Sequence, residues 1–256
     1  MTDIVTRPVR RTPLETAVRL ARSLTAYVVT SLYVLVVGSL AMLLALLVRH
    51  EAVLYVPGRL GVRLALAIVG IRSRVAGREH VPATGGVVFC ANHQSNVDPP
   101  LLFATLHDRL RMLYKVEFDR LVILSHAIRR AGFIPIDRRD RMQAVHALER
   151  AATSIREQGR AFLIFAEGTR SRTGELLPFK KGGFVMAILA QAPIVPVAIT
   201  GARQAMQKGS VIINPVAVSV RIGKPIETRG LTMDDRDALM STVRARIEEL
   251  LAEGPV

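Results

Sequence analysis

The chain of 256 residues has one cysteine, Cys90, no tryptophan, and only 5% aromatic residues. A single thiol excludes an internal disulfide and any zinc site built from several cysteines, and it fits a reducing compartment. The shortage of rings argues against recognition of nucleic acid by stacking bases on aromatic platforms. Acidic residues are also scarce. The 21 Asp and Glu face 35 Lys and Arg, of which 30 are Arg, for a formal charge of +14. Such an excess calls for an anionic partner, whether nucleic acid, anionic lipid or a phosphorylated substrate, and charge alone does not choose among them. Apolar side chains are plentiful instead, at 50% of the chain with a mean hydropathy of +0.31. That excludes a disordered chain and is high for an ordinary soluble enzyme. The length allows one large domain, or one domain with an appendage.

The apolar excess lies near the start. Ser23 to Val48 is a run of 26 residues without a charge, about 39 Å long as a helix and longer than the roughly 30 Å hydrocarbon layer. It is a membrane-helix candidate rather than a cleaved signal peptide, because the basic region ahead of it is long and so is the run itself. A second stretch, Leu60 to Ile71, follows a break expected at Pro57-Gly58, carries Arg63 and is too short to span, so an interfacial helix with snorkelling arginines is expected. Basic residues number five before the run (Arg7, Arg10, Arg11, Arg19, Arg22) and three after it (Arg49, Arg59, Arg63). Full crossing would then place the rest of the chain outside the cytoplasm. A two-helix hairpin entering one leaflet removes that conflict and is the arrangement expected.

From Gly86 onward short β-branched runs alternate with helical patterns. Strands are predicted near Val87–Ala91, Met112–Tyr114, Phe133–Ile136, Phe162–Phe165, Ile194–Thr200 and Val216–Ile222. Helices are predicted near Pro99–Leu106, Glu117–Arg130, Arg141–Gln158, Phe184–Gln191 and Asp234–Ala252. The alternation implies an α/β fold, a mostly parallel central sheet flanked by helices and preceded by the membrane-anchoring hairpin. The division is drawn as 1–74 for the basic segment and anchor and 75–256 for the α/β domain. Ligands of open parallel sheets bind beyond the carboxyl ends of the strands, and there the polar clusters fall. NHQSNVD follows the first predicted strand, Asp137-Arg138 ends the third and EGTRSRTG follows the fourth.

His93 and Asp98 form an HxxxxD pattern. An imidazole at a strand end, with a carboxylate five residues on, can be fixed in one tautomer and stabilised as imidazolium, as in the orienting half of a catalytic triad. A substrate hydroxyl would then stand in for the serine. The plainer alternative for Asp98 is a helix N-cap ahead of Pro99. Cys90 sits inside an apolar strand with no cation beside it and is a poor nucleophile candidate. Glu167-Gly168-Thr169-Arg170-Ser171 places a glycine turn, a hydroxyl and a guanidinium at a strand mouth, an arrangement suited to anions. The alternative is an ordinary strand-to-helix loop. Lys115 and Arg138 add cations near the same edge, or contribute only to general basicity.

Together NHQSNVD (Asn92 to Asp98), GFIPIDR (Gly132 to Arg138), FAEGTRS (Phe165 to Ser171), FKKGGF (Phe179 to Phe184) and APIVPVAIT (Ala192 to Thr200) resemble the ordered motif blocks of the glycerolipid acyltransferases. Asn92, Gln94 and the APIVPVAI block look like the 1-acyl-sn-glycerol-3-phosphate (lysophosphatidate) subtype. One departure is Ala166, where the family pattern has proline, a change expected to loosen the strand exit without removing a chemical group. The resemblance implies a membrane-associated enzyme of phospholipid biosynthesis, acting at the cytoplasmic face of the inner or plasma membrane. It would acylate the sn-2 hydroxyl of lysophosphatidate, with glycerol-3-phosphate or another lysophospholipid as the alternative acceptor. His93 would be the base and Asp98 its orienting partner. Lys115, Arg138 and Arg170 would hold the phosphate, with Glu167, Gly168 and Thr169 shaping that site. The implied partners are membrane lipid, lysophosphatidate and an acyl thioester on coenzyme A or acyl carrier protein; no cofactor, metal or nucleic acid is implied.

Overall fold

Seven strands hydrogen-bond into one sheet in the computed structural model, which describes residues 12–107, 110–137, 139–207 and 209–256. They are β1 (Arg72–Ala76), β2 (Val87–Ala91), β3 (Leu110–Lys115), β4 (Ile134–Ile136), β5 (Ala161–Phe165), β6 (Ile194–Thr200) and β7 (Ala217–Ile222), in the spatial order β1-β7-β6-β2-β5-β3-β4. Strands β2 to β6 are parallel to their neighbours in that group, β7 is antiparallel to β6, and β1 is parallel to β7. The mostly parallel α/β sheet implied by the alternating pattern is therefore present.

The central strand β2 is buried along its whole length, as a continuous apolar run should be when helices cover both faces. Its side chains alternate. Val87, Phe89 and Ala91 join one core with Leu101 and Leu102 of α4 (Asp98–Thr105), while Val88 and Cys90 join the other with residues of α6 (Arg141–Gln158) and α7 (Gly182–Ala190). In α9 (Arg236–Ala252) the buried Leu239, Val243 and Ile247 recur every fourth residue, which puts them on one stripe against that second core.

At the N-terminus α1 (Pro13–Tyr33) continues through a π-helical turn, Val34–Gly38, into α2 (Ser39–Val48), and the chain reverses at Arg49. The returning arm is a 3-10 turn, Glu51–Leu54, that leads into α3 (Tyr55–Val69). Pro57 does not break this arm. It lies in the first turn of α3, where the missing N–H has no helical partner to lose. The second apolar helix is consequently longer than its Leu60–Ile71 core: Pro13–Val48 and Glu51–Val69, 36 and 19 residues, are both long and apolar enough to cross a membrane. The arms lie side by side, and Tyr33 sets how close they come. Its hydroxyl donates to Pro57 C=O at 2.9 Å, and its ring covers Gly61 so closely that a Cβ there would stand 2.6 Å from Cε1.

The hairpin has two kinds of face. Leu24, Leu32, Leu40, Leu47, Leu60 and Leu64 are exposed, whereas Ala26 and Val69 are buried in the same cluster as Phe89 and Leu101. Ser23 Oγ accepts Ile213 N–H at 2.9 Å and Tyr27 Oη donates to Val211 C=O at 2.8 Å, tying α1 to the segment before β7. Arg7, Arg10 and Arg11 lie outside the described residues. Strand β1 has no counterpart among the predicted strands. Its Arg72, Ser73 and Arg74 are exposed on an edge that, among the described residues, pairs only with β7, so no apolar alternation marks it. The junction drawn between 74 and 75 lies inside this strand.

Candidate active site

The exits of three adjacent strands build the site. Beyond β2, Asn92 prolongs the pairing with β6 through its side chain: Nδ2 donates to Ile199 C=O at 3.0 Å and Oδ1 accepts Ile199 N–H at 2.7 Å. This amide acts as an extra rung and fixes where the next residue, His93, points. His93 Nδ1 lies 2.8 Å from Asp98 Oδ2. A carboxylate only accepts, so Nδ1 carries a proton, and in the neutral ring the lone pair is on Nε2. The ring stacks on Phe165 with centroids 4.1 Å apart and remains 15% exposed, whereas Asp98 is fully buried.

Asp98 is not an N-cap. It is the first residue of α4, the preceding Val97 occupies the cap position, and the carboxylate turns back along the chain. Besides the imidazole, Oδ2 accepts Gln94 N–H at 2.7 Å and Ser95 N–H at 2.8 Å. One oxygen thus gathers the whole turn around His93, and the aspartate holds the ring in a single orientation.

The EGTRS segment leaves β5, the strand next to β2, and grips His93 from the other side. His93 N–H donates to Glu167 Oε1 at 2.7 Å, and Ser171 N–H donates to His93 C=O at 2.8 Å. Glu167 Oε2 accepts Leu177 N–H at 2.9 Å, which brings in the downstream loop. Burial pushes the Glu167 carboxyl above its usual range, and the N–H groups of His93 and Leu177 offset only part of that. Gly168 makes the turn at φ 66°, a conformation that favours glycine, as its N–H closes onto Phe165 C=O at 3.0 Å. Ala166 does not loosen this exit. Its N–H donates to Ala91 C=O at 3.2 Å, a bond that proline lacks the hydrogen to make.

The residues singled out in the sequence are brought together unequally. His93, Asp98, Glu167 and Gly168 form one hydrogen-bonded unit, with Thr169 exposed and Arg170 half-buried on the same loop. Lys115 is exposed at the end of β3, two strands from β2 and so roughly 10 Å away at ~4.8 Å per strand. Arg138 lies outside the described residues; its neighbour Asp137 follows β4, one strand further out. Glu167 offers no donor to an anion and instead holds main-chain N–H groups. Cys90 is buried in the middle of β2, where burial and the nearby Glu167 carboxylate push its thiol far up, so it is no nucleophile. Arg244 of α9 was not singled out. Its guanidinium donates to Leu176 and Leu177 C=O at 3.0 and 2.8 Å and lies 5.3 Å from the Phe179 ring centroid, fixing the loop that Glu167 also holds. No local motif announces it, since the partners lie more than sixty residues away.

Residues 72–200, from β1 to the end of β6, match the acyltransferase family. The chain belongs to that family. Among relatives of this acyltransferase chain, the 1-acyl-sn-glycerol-3-phosphate acyltransferase alpha of Mus musculus is 35% identical over 178 residues, 69% of this chain and 62% of the relative. The Homo sapiens protein of the same name is 34% identical over 177 residues, with the same coverage. The 1-acyl-sn-glycerol-3-phosphate acyltransferase of Saccharomyces cerevisiae is 29% identical over 219 residues, 84% of this chain and 72% of the relative. The acyltransferase chain thus spans about 62% of the length of the mammalian relatives. In fold it is similar to the crystal structure of the 1-acyl-sn-glycerophosphate (LPA) acyltransferase PlsC from Thermotoga maritima, with a TM-score of 0.80 at 23% identity, covering 94% of this chain and 98% of that one.

Proposed function

We propose that the chain transfers an acyl group from a thioester to the sn-2 hydroxyl of lysophosphatidate, giving phosphatidate. The observation that carries this reading is the 2.8 Å contact between His93 Nδ1 and the buried Asp98 Oδ2, which directs Nε2 away from the carboxylate and makes it the base. The names of the mammalian and yeast relatives support lysophosphatidate as acceptor. His93 Nε2 takes the proton of the acceptor hydroxyl as its oxygen attacks the thioester carbonyl, and Asp98 stabilises the imidazolium that forms. The tetrahedral oxyanion collapses, the carbon–sulfur bond breaks, and the departing sulfur receives the proton from His93. Lys115, Arg138 and Arg170 bind the acceptor's phosphate, with Glu167, Gly168 and Thr169 shaping the loop that presents Arg170.

The donor in this reading is acyl coenzyme A or acyl carrier protein. The hairpin within residues 1–74 holds the α/β domain, residues 75–256, on the cytoplasmic face of the inner or plasma membrane, where acceptor and product reside. The test is incubation of the purified full-length chain in vesicles with lysophosphatidate and an acyl thioester, followed by detection of phosphatidate and free thiol. Glycerol-3-phosphate and lysophospholipids with larger headgroups run in parallel. Thiol release with all acceptors except lysophosphatidate overturns the assigned substrate, and no release with any acceptor by folded protein overturns the activity.

A further inference from the structure

At the opposite edge of the sheet from His93, the approaches to β2, β3 and β5 surround a cavity of about 720 Å³. Gly85 lines it just ahead of β2, and Ala161 where β5 begins. Between Gly86 and Asn92 the chain runs the length of β2, roughly 20 Å at ~3.3 Å per residue, so this cavity is separate from the candidate active site.

The charge of the described residues around it is predominantly positive. Arg59, Arg78, Arg111 and Arg160 line the cavity together with His107, and among the described residues only Glu51 faces them as a carboxylate. Arg111 is 2% exposed and pairs with Glu51, whose other oxygen takes Arg160 Nη2 at 2.9 Å. Arg111 is held further by its Nε donating to Ala131 C=O at 3.2 Å and by the Tyr55 ring, 5.6 Å from its guanidinium carbon. The cluster is thus fixed before any ligand arrives, which is what a recognition site for an anion requires. Burying guanidiniums beside one another is costly without counter-charge, and one carboxylate serves both Arg111 and Arg160. Arg78 is exposed at the rim, with Nη1 donating to Thr105 C=O at 2.8 Å. Glu51 and Arg59 belong to the hairpin while Arg78, Arg111 and Arg160 belong to the sheet layer, so the cavity lies on the seam between the two.

We propose that this cavity is a second binding site, for the phosphate group of an ester, gripped by Arg59, Arg78 and Arg160 on a frame set by Arg111 and Glu51. Planar guanidinium forks match phosphate oxygens in pairs. The site goes beyond the acyl-transfer reading, which uses the other edge of the sheet. The phosphate arrives either on the headgroup of an anionic phospholipid, reached along the hairpin, or on a free soluble ester.

The test is amide hydrogen exchange of the full chain in phosphatidylcholine vesicles, read at residues 83–86 and 158–161. One arm adds inorganic phosphate against chloride of equal ionic strength, and the other replaces part of the phosphatidylcholine with phosphatidylglycerol. The expected result is about tenfold slower exchange in these segments at about ten times the Kd, lost in an Arg59→Gln, Arg78→Gln double variant of unchanged Tm. Arg78→Gln alone, at an exposed position, serves if the double variant does not fold. Slowing only with phosphatidylglycerol assigns a lipid headgroup, and slowing with inorganic phosphate assigns a free ester. Unchanged exchange in both arms, or slowing that survives removal of the arginines, overturns the site.

Discussion

The main-chain N–H of His93 donates to Glu167 Oε1 at 2.7 Å, although the two residues are 74 positions apart. The acidic residue of the EGTRS loop therefore positions the histidine by holding its main chain. Glu167→Gln sets an amide N–H against one of the two N–H donors that the carboxylate accepts, a cost of about 1–3 kcal/mol.

This cost has a defined dependence on pH. Burial raises the Glu167 carboxyl in the folded chain, so across a window starting near pH ~4.3 the folded state binds more protons than the unfolded one. Wild-type stability then falls as pH rises through that window and levels off above the raised pKa. Glutamine does not titrate. The gap in Tm between wild type and Glu167→Gln is expected to be largest at the acid end and to narrow with rising pH; a gap that widens would show that the carboxylate is favoured by its site.

The loops grip His93 by its main chain, which makes His93→Ala a clean test of the ring. Ser171 and Glu167 keep their partners in the variant, so Tm is expected to stay close to wild type while thiol release falls about 10²- to 10⁴-fold. Asp98→Asn still places an oxygen where Gln94 and Ser95 donate, but loses the charge that supports the imidazolium, and a loss of the same order is expected. Near-normal turnover in Asp98→Asn would leave the residue with a purely structural part.

Much of this site was legible because its chemistry is local in sequence. HxxxxD places both members of the pair on one turn, and the apolar runs of β2 and β5 are bounded by polar clusters that mark the strand ends. What escaped depends on partners distant in the chain. The role of Glu167 follows from Leu177 and His93, that of Arg244 from a loop more than sixty residues earlier, and β1 exists because β7 pairs with it. Pro57 was misread for a related reason, since a proline marks a helix start as readily as a break and only the preceding turn at Glu51–Leu54 decides which.

The hairpin is also part of the core, and its removal tests that. Val69 and Ile71 are buried with Phe89 and Leu101, and losing these two side chains alone costs about 3–6 kcal/mol against a typical domain stability of about 5–15 kcal/mol. A chain lacking residues 1–71 is expected to lose its cooperative thermal transition and to aggregate. A truncated chain that melts cooperatively near the wild-type Tm would reduce the hairpin to a tether.

The phosphate assignment is tested by separating a recognition cation from a surface charge. An arginine that grips phosphate with its planar fork loses charge-assisted hydrogen bonds on truncation, about 1.5–3 kcal/mol, whereas an exposed arginine costs within about half a kcal/mol. Arg138→Ala and Arg170→Ala are each expected to lower kcat/KM for lysophosphatidate roughly ten- to a hundred-fold. Arg156→Ala is the control: that side chain is exposed on α6, where its contacts are Leu189 C=O and Glu157. Lysine at 138 or 170 restores only part of the rate, because a point charge lacks the fork. The deciding comparison uses monoacylglycerol, an acceptor with the hydroxyl and no phosphate. Wild type should use it poorly, and the two variants should lose little further rate on it. Equal losses on both acceptors would mean that these arginines hold the loop or meet the thioester carrier, and the anion site at this edge would then have to be sought in Lys115 and the loop amides instead.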